Sequence, residues 1–344
     1  MTISESAGLI TVPEVAGIGA GARHRESVWI LKRLGSGVLV LLAVSVVVFA
    51  ATQALPSDPA QAMLGRQATP ELLDALRQKL GLDQSLPVQY VHWFSGLLHG
   101  DLGTSLASQQ PVTGVLGPRL LNSLALLAGA ALIMIPFSIG AGVFLAARRD
   151  RSLDRTVNAG LMAVMALPDF VVGTIFLLVF ATTVMPVLPA VSLVPPGASG
   201  FSHPRELVLP VLTAVTITAP FLIRQVRASM IETLESEHIA QARLRGIAEK
   251  RIIWRHALPN ALVPLVQGSA LMLSYLLGGV VVIEYVFNYP GLGGMLNDAV
   301  VYRDLPVLQA VSLTFAAGVV AFNLIADLLT IMLTPRLRTS GGAR

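Results

Sequence analysis

Acidic side chains inside apolar segments are the residues of this sequence best placed to do chemistry. Asp169 lies in ALPDFVVG and Asp327 in NLIADLL, and both segments are predominantly apolar. An ionisable residue in a membrane-spanning segment is costly to bury and by default marks a functional site. Asp169 could contact a substrate amino group, or it could sit near the inner end of its segment and face water. Intramembrane catalysis would need paired carboxylates or a nucleophile beside a base, and neither Asp lies in a recognisable catalytic motif.

Other kinds of catalytic and cofactor chemistry lack their residues. The chain contains no Cys, so thiol catalysis, disulfides and cysteine-based metal sites are excluded. His92, His99 and His203 are scattered without metal-ligand spacing. A phosphate-binding Walker A loop needs a Gly-Lys pair, and no Lys in the chain follows a Gly. We therefore expect no catalytic, cofactor-binding or metal-binding residue in this chain.

The composition is that of an integral membrane protein. Of the 344 residues, 54% are hydrophobic and 13% are charged, and the mean hydropathy is +0.70, whereas a soluble domain has about 25% charged residues. The net charge of +4 and the pI of about 9.8 could suggest nucleic-acid binding. In a chain this apolar, basic loops on one side of a membrane explain both values better. The expected surroundings are lipid, with no nucleic acid.

Six apolar stretches are long enough to cross a bilayer, which needs about 20 helical residues. The fourth is interrupted by Pro210 and Pro220. Neighbouring helices can satisfy the carbonyls that a Pro frees, so these residues do not exclude a span. The expected fold class is an all-α integral membrane protein. The six candidate spans are residues 28–55, 119–147, 157–184, 206–230, 262–284 and 306–333.

The basic residues predict which side of the membrane each loop occupies. If the N-terminus is inside, most of the 24 Lys and Arg residues fall in inner segments, as the positive-inside rule requires. The first 25 residues lack the apolar core of a signal peptide and are expected to form a cytoplasmic tail. The bias of the basic residues predicts that both termini lie in the cytoplasm. The predicted parts are a tail (1–27), a first span (28–55), an extracytoplasmic helical loop (56–118), a five-helix core (119–333) with a cytoplasmic loop (231–261), and a second tail (334–344).

The outer loop between the first two spans is predicted to contain its own helices. Thr69-Pro70-Glu71 has the order of an N-cap, a first helical Pro and an acidic first turn, and Gly81 fits the helix end. A second short helix is predicted from Val88 to His99. These helices could form a docking or gating surface, or a cap that packs on the protein's own spans. The two roles are compatible.

The charged stretch EHIAQARLRGIAEKRIIWRHALPN, residues 237–260, sits between long apolar runs. Ile239 belongs to an apolar stripe on a first short helix that Gly246 interrupts. Glu249 begins a second short helix, and Pro259 is predicted to end it. An ordinary basic loop would explain the charge alone. The order helix, Gly, helix favours a compact structure on the cytoplasmic face.

These residues resemble the EAA loop of ABC-importer permeases. That pattern has a Gly, nine residues, an Ile, one residue and then Leu-Pro. Gly246 and Leu258-Pro259 fit the pattern, and His256 replaces the Ile. The Glu-Ala-Ala triplet falls on residues 240–242, of which only Ala242 matches.

The match is better for one subfamily. Dipeptide and oligopeptide permeases usually lack the Glu, and their loop is similar to ARLRG at 242–246 and RHALPNA at 255–261. The resemblance runs from about Leu31 to Arg338 and is to the first, B-type permease of peptide/nickel-type importers. Further matching stretches are LPSDPAQAMLG (55–65), LGLDQSLPVQYVHWFSGLLHGDLGTSL (80–106), EYVFNYPGLGGML (284–296), RDLPVLQA (303–310) and NLIADLLTIMLTPRLR (323–338).

The resemblance implies a type I importer permease in a bacterial-type inner membrane, with no ATPase site of its own. Two P-loop ATPase subunits or domains would bind ATP and Mg²⁺, and the 231–261 loop would fit a cleft on them as a coupling helix. A homologous second permease would complete the path, and an extracytoplasmic solute-binding protein would deliver dipeptides or oligopeptides to the 56–118 loop. The residues it assigns to ATPase coupling are Glu237, Ala240, Gln241, Ala242, Arg243, Arg245, Gly246, Lys250, His256, Leu258 and Pro259.

The resemblance also bears on the isolated acidic residues. Family members usually carry a small polar residue at the position of Asp169, so this Asp departs from the pattern. Asp327 matches the family, and we expect it to have a structural partner within the chain. Glu284 lies in EYVF at the outer end of the fifth span and is expected to anchor the loop that follows.

Two alternatives stay open. Importers of this type include relatives that take nickel chelates, opines, haem or glutathione, and selectivity rests largely with the binding protein. Peptides are the first expectation because they dominate the family. An ion-coupled secondary transporter would also be a polytopic carrier, but it would usually show internal repeats and buried ionisable pairs near the midplane.

Overall fold

Long helices make up most of the computed structural model. The β-structure of the described residues is limited to one isolated bridge, between Thr104 and Pro111. The predicted all-α membrane fold is therefore confirmed. The helices are α1 (Ile18–Gln53), α2 (Pro59–Leu64), α3 (Pro70–Leu80), α4 (Leu86–Leu98), α5 (Val112–Ala147), α6 (Ser152–Met165), α7 (Asp169–Leu177), α8 (Pro204–Leu234), α9 (Glu237–Leu244), α10 (Glu249–Arg251), α11 (Leu258–Val286), α12 (Leu292–Val301) and α13 (Leu305–Leu333). The structure describes residues 18–54, 59–64, 68–195, 198 and 200–333.

Five helical segments of the described chain are long and apolar enough to cross a membrane. They are α1 from Leu31 onward, α5, α8, the run from α10 through α11, and α13. These segments match the predicted first, second, fourth, fifth and sixth spans. We call the end of the bundle that carries α3 and α4 the cap end, and the end that carries α9 and α10 the loop end.

Helix α8 runs unbroken through Pro210 and Pro220. A Pro inside a helix leaves the carbonyl four residues earlier without its usual donor. For Pro210 that carbonyl belongs to Glu206, and Ser192 Oγ donates a hydrogen bond to it at 2.9 Å. A neighbouring segment therefore supplies the missing donor, as expected of a Pro inside a span.

The predicted third span, residues 157–184, is not one straight helix. Helices α6 and α7 meet at an angle of 101°. The break falls at Leu167 and Pro168, because a Pro disfavours helical geometry in the residue before it. The Pro168 carbonyl instead accepts from the Val171 N–H at 3.0 Å and starts α7. The bent pair counts as a sixth span only if both halves are taken together.

The main hydrophobic core lies between α5, α8 and α11, with α13 packed beside α11. Helix α1 lies outside this core against α13, where Arg33 Nε pairs with an Asp327 carboxylate oxygen at 3.0 Å. The expectation that Asp327 has a structural partner within the chain is confirmed. The largest fully buried apolar side chains of the core include Leu126, Met134, Leu209, Leu222, Met230 and Leu276.

The helices at the cap end begin and end close to the predicted positions. Thr69 Oγ1 accepts from the Leu72 N–H at 3.4 Å, and Gly81 closes α3 in the left-handed region with φ +67°. Helix α4 begins at Leu86, two residues before the predicted start. Its rings pack on α1: the Phe49 centroid lies 5.4 Å from that of Tyr90. The prediction of a cap on the protein's own spans is therefore confirmed.

Part of the predicted organisation lies outside the described residues. Helix α1 begins at Ile18, inside the segment predicted as an N-terminal tail (1–27). The first 17 residues of that tail, the predicted second tail at 334–344 and the outer-loop residues 55–58 and 65–67 are not described.

Candidate functional site

The loop at residues 231–261, called the basic loop below, folds as two short helices joined at Gly246. Gly246 has φ +72°, a conformation that favours Gly because it lacks a Cβ. Its N–H donates to the Arg243 carbonyl at 2.9 Å, and the Ile247 N–H donates to the Ala242 carbonyl at 3.2 Å. These bonds close α9 in the manner of a glycine C-cap. The predicted order helix, Gly, helix is confirmed.

A small hydrophobic cluster holds the two helices of the basic loop together. Ile239 and Ile252 are fully buried in it, and Ala242 is 9% exposed. Leu234 and Ile247 pack against them from the loop's edges. Because α9 and the helical turn Ile252–Ala257 that continues α10 share this cluster, they form one body rather than two independent segments.

Arg243 links the same two helices through a charged contact. Its Nε and one terminal nitrogen donate to the two Glu249 oxygens at 3.1 and 2.7 Å, and its other terminal nitrogen donates to the Leu234 carbonyl at 3.1 Å. Donation to the Glu249 carboxylate raises the pKa of the Arg243 guanidinium above its usual range. Both side chains are about half exposed, so the pair contributes little stability and mainly fixes the geometry.

The exposed surface of the basic loop carries apolar residues that the sequence analysis missed. Leu244 is 88% exposed and Trp254 is 53% exposed. The sequence carried one indication of this surface, because both residues are large and apolar within a charged run. Among the predicted coupling residues, those that the structure exposes are Glu237, Ala240, Gln241, Arg243, Arg245, Gly246, Lys250 and Pro259, while Ala242 is buried and His256 and Leu258 are half-buried.

The prediction that Pro259 ends the second helix is wrong. Pro259 lies in the first turn of α11, and the helical run from Glu249 continues to Val286. A Pro is tolerated where its missing N–H costs no helical bond, and the π-helical turn Ile252–Ala257 just before it takes up the change in register. The basic loop is therefore continuous with a span.

Ion pairs tie neighbouring helices together at the loop end. Asp154 on α6 is buried, and Arg227 on α8 donates to its two oxygens at 2.7 and 2.6 Å. Arg149, just after α5, pairs with Glu235 at the start of the basic loop. These contacts connect α6 to α8, and the end of α5 to the basic loop.

Asp169 lies away from the loop end, at the first residue of α7. It is half-buried, and the Tyr275 hydroxyl of α11 lies 3.3 Å from each of its carboxylate oxygens. The structure thus places Asp169 against α11, and its possible contact with a substrate stays a prediction.

Glu284 is the centre of a buried polar cluster at the cap end. The Ser123 hydroxyl donates to it at 2.5 Å and the Gly293 N–H at 2.6 Å, with the Gly294 N–H at 3.3 Å. Asn122 adds a hydrogen bond to the Pro290 carbonyl at 2.9 Å. The expectation that Glu284 anchors the following loop is confirmed.

Comparison with known proteins assigns this arrangement to a family. The family described as "Binding-protein-dependent transport system inner membrane component" matches residues 138–339, which contain α6 through α13 and the basic loop. This chain belongs to that family. It is a permease of a binding-protein-dependent importer. The N-terminal component of the same transport-system membrane proteins matches residues 27–126, which contain most of α1 and the cap helices.

The permease also matches curated relatives along almost its whole length. Glutathione transport system permease protein GsiC of Escherichia coli O6:H1 is 35% identical over 310 residues, covering 90% of this chain and 98% of that protein. GsiC of Salmonella typhi has the same identity and coverage. The resemblance to peptide-type ABC-importer permeases is confirmed.

A solved structure shows the same fold. A chain of the MetNI methionine ABC transporter, in an inward-facing conformation, aligns with a TM-score of 0.55 and 19% identity. The alignment covers 64% of this permease and 96% of that chain. At this identity the likeness supports the fold alone.

A second buried carboxylate of the permease holds a loop at the cap end. Asp304 is 3% exposed and accepts from the Ser105 hydroxyl at 2.5 Å, the Leu106 N–H at 3.1 Å and the Ala107 N–H at 3.2 Å. The Val307 N–H, in the first turn of α13, lies 3.5 Å from the same carboxylate. Asp304 therefore joins the 101–111 loop to the start of α13.

Replacing Asp304 with Ala should free this loop. The change removes a helix cap and leaves buried donors unpaired, at a cost of roughly 2 kcal/mol. Limited proteolysis of the purified permease should then cut within residues 101–111, where the unsubstituted protein resists. Asp298→Ala, at an exposed position on α12, is the matched control. Equal resistance of the Asp304→Ala and control proteins would contradict the prediction.

Proposed function

We propose that this permease is the transmembrane subunit of an ATP-driven importer for dipeptides or oligopeptides, and that it forms half of the translocation path. A homologous second permease forms the other half, and two P-loop ATPase subunits or domains bind ATP and Mg²⁺. The chain itself performs no catalysis. The observation that carries the proposal is the basic loop, a rigid body with exposed apolar side chains that continues into a membrane span.

An ATPase cleft is the partner that this loop fits. Leu244 and Trp254 gain from burial because they are large, apolar and exposed in an otherwise charged segment. The buried cluster around Ile239 keeps α9 and the helical turn after α10 together, so that a push on the loop moves it as a unit. Because α10 runs into α11, that movement reaches the bundle. Closure of the two ATPases would then rock the spans between inward-open and outward-open states.

The sides of the membrane follow from this assignment. The loop end faces the cytoplasm of a bacterial cell, and both termini lie there. Basic residues near the loop end, among them Arg148, Arg224 and Arg245, support this orientation. The cap end faces outward, where α3 and α4 provide the contact for the solute-binding protein. A cavity of about 430 Å³ between α1, α3, α4 and α13 supports a docking role for this surface.

Peptides are the substrate class that we favour. Two observations support a molecule with peptide chemistry: the sequence motifs match dipeptide and oligopeptide permeases, and the named relatives are glutathione permeases. Glutathione is itself a tripeptide, so it is the second candidate for the same machine. Selectivity between the two lies with the binding protein, whose affinity for each can be measured directly.

Replacing Leu244 with Glu should detach the ATPase. The permease would be co-expressed with its genomic neighbours and purified in detergent, and the co-purified P-loop ATPase would be quantified. Placing a charge where an apolar contact is expected should lower the ATPase recovered about tenfold or more. Leu193→Glu makes the same chemical change at a 74% exposed position outside the basic loop and should retain the ATPase. If Leu244→Glu retains as much ATPase as Leu193→Glu, the proposed docking is contradicted.

A further inference from the structure

A small cavity surrounds Asp169 within the helical bundle. It has a volume of about 200 Å³ and lies between the α6–α7 bend, α8 and α11. Apart from the Asp169 carboxylate and the Tyr275 hydroxyl, its walls are mainly apolar, with Phe221 and Met272 among them. A single charged group in an apolar cavity is the arrangement expected of a site that orients a ligand by one polar contact.

The cavity lies at mid-depth of the bundle. Phe221 is near the middle of α8, which spans residues 204–234, and Tyr275 is near the middle of α11, which spans residues 258–286. Both helices are long enough to cross the membrane. Asp169 therefore lies beside the central stretches of two helices that are long enough to cross a membrane.

The partners of the Asp169 carboxylate differ from those of three other acidic groups of the bundle. Asp154 and Asp327 each pair with an Arg, and Glu284 accepts three hydrogen bonds. In the described part of the chain the only donor to the Asp169 carboxylate is the Tyr275 hydroxyl, and no Lys, Arg or His forms a salt bridge with it. An ionised carboxylate offers about four acceptor positions, so most of its capacity is open.

The neighbouring backbone leaves room beside this carboxylate. Gly279 follows Tyr275 by one turn of α11, and a Cβ at position 279 would lie 3.1 Å from an Asp169 oxygen. A larger residue there would crowd the carboxylate. The guanidinium of Arg224, one turn along α8 from Phe221, contacts Met165 Sδ at 3.7 Å instead of Asp169. The absence of a side chain at position 279 thus leaves room beside the carboxylate.

The position of Asp169 at the start of α7 does not account for this arrangement. An acidic residue in a first turn is favoured by the helix dipole, but that interaction requires neither a cavity nor a phenol from another helix. A carboxylate with open acceptor positions beside apolar walls is best completed by a cationic donor. The missing component is therefore a positive charge.

We propose that Asp169 and Tyr275 bind a positively charged amino group of the transported molecule as it passes the middle of the membrane. The carboxylate supplies the charge-assisted hydrogen bond, and the Tyr275 and Phe221 rings supply faces that attract an ammonium group. Tyr275 is 51% exposed and Phe170, beside Asp169, is 55% exposed, so the site opens on a face that this chain leaves uncovered. This inference rests on the proposed function and restricts its substrates to molecules with a free amine, such as a peptide with an unblocked N-terminus.

Charge replacement at position 169 tests the proposal. The chain contains no Cys, so Asp169→Cys introduces a single thiol into this subunit. The complete importer, with its second permease, ATPases and binding protein, would be assayed in proteoliposomes with a labelled tripeptide that has a free N-terminus. Uptake should fall about tenfold. Modification of the thiol by an anionic thiosulfonate should restore much of it, a neutral methyl thiosulfonate should not, and the tripeptide should slow the modification.

Several outcomes would overturn the proposal. These are unchanged uptake by Asp169→Cys, equal rescue by the neutral reagent, and a thiol that neither reagent can reach. Asp298→Cys, at an exposed carboxylate near the cap end, is the matched control, and the unsubstituted importer corrects for thiols of the partner subunits.

If Asp169→Cys does not assemble, Asp169→Asn should raise KM for the tripeptide while leaving the binding-protein-stimulated ATPase rate unchanged, and an unaltered KM is the contrary result. If the unsubstituted importer takes up no peptide, the proposed function fails; if it does and the variants behave like it, only this inference fails.

Discussion

Permease carrying Ile239→Asp should fold and insert but lose its ATPase and its uptake activity. Ile239 is fully buried in the small cluster that joins α9 to the helical turn after α10. The change removes about 2 kcal/mol of hydrophobic burial and places an unpaired carboxylate in its position, which costs several kcal/mol more. The basic loop should therefore open, whereas the main core between α5, α8 and α11, which does not include Ile239, should persist.

Two readouts separate local opening from general unfolding. Size-exclusion chromatography in detergent should show a monodisperse permease, while co-purified ATPase and peptide uptake should fall at least about tenfold. Ile239→Val, which removes one buried methylene at a cost of about 1 kcal/mol, is the matched control and should keep most of both. An Ile239→Asp complex that retains its ATPase and its uptake would show that the rigid loop is not required.

The second large effect is expected from Gly293→Ala at the cap end. A Cβ at position 293 would lie 2.3 Å from the Cα of Val281, a backbone atom of α11. Helix α12 would have to move away from α11, and the hydrogen bond from the Gly293 N–H to Glu284 at 2.6 Å would be lost. Overpacking and an unpaired buried acceptor together should destabilise the protein by about 3 kcal/mol.

Thermal unfolding of the purified permease measures this effect. Gly293→Ala should lower the apparent Tm by several degrees and reduce the yield of monodisperse protein. Gly278→Ala makes the same change within α11 at a position where the added Cβ meets no atom within 4 Å; it should be neutral, or slightly stabilising because Ala is a better helix former. Equal Tm values for the two variants would contradict the close packing of α12 on α11.

The sequence predicted those features whose conformation is determined by neighbouring residues in the chain. The N-cap at Thr69 and the glycine ends at Gly81 and Gly246 depend on the conformation of a few neighbouring residues, and all three are present. Apolar length identified five spans for the same reason. Among the candidate functional residues, the positions of Gly246 and of Glu284 at a loop anchor were predicted in this way.

Features that depend on distant partners were not predictable in the same way. The sequence does not show that Ser192 donates to the carbonyl that Pro210 leaves without a partner in α8. Nor does it show that Pro168, in contrast, lies at a break between two helices. The pair between Asp154 and Arg227 joins residues 73 positions apart, and its partners are known only once α6 packs on α8. The 88% exposure of Leu244 also depends on packing, because the sequence shows an apolar residue in a charged run but not which face of α9 is covered.

Transport by the reconstituted system tests the central claim most directly. The permease, its second permease and the ATPases would be placed in proteoliposomes with ATP on the ATPase side, the binding protein on the other side, and a labelled peptide. The account predicts accumulation of the peptide that requires both ATP hydrolysis and the binding protein. Uptake that proceeds without ATP and follows an imposed proton or sodium gradient would contradict it.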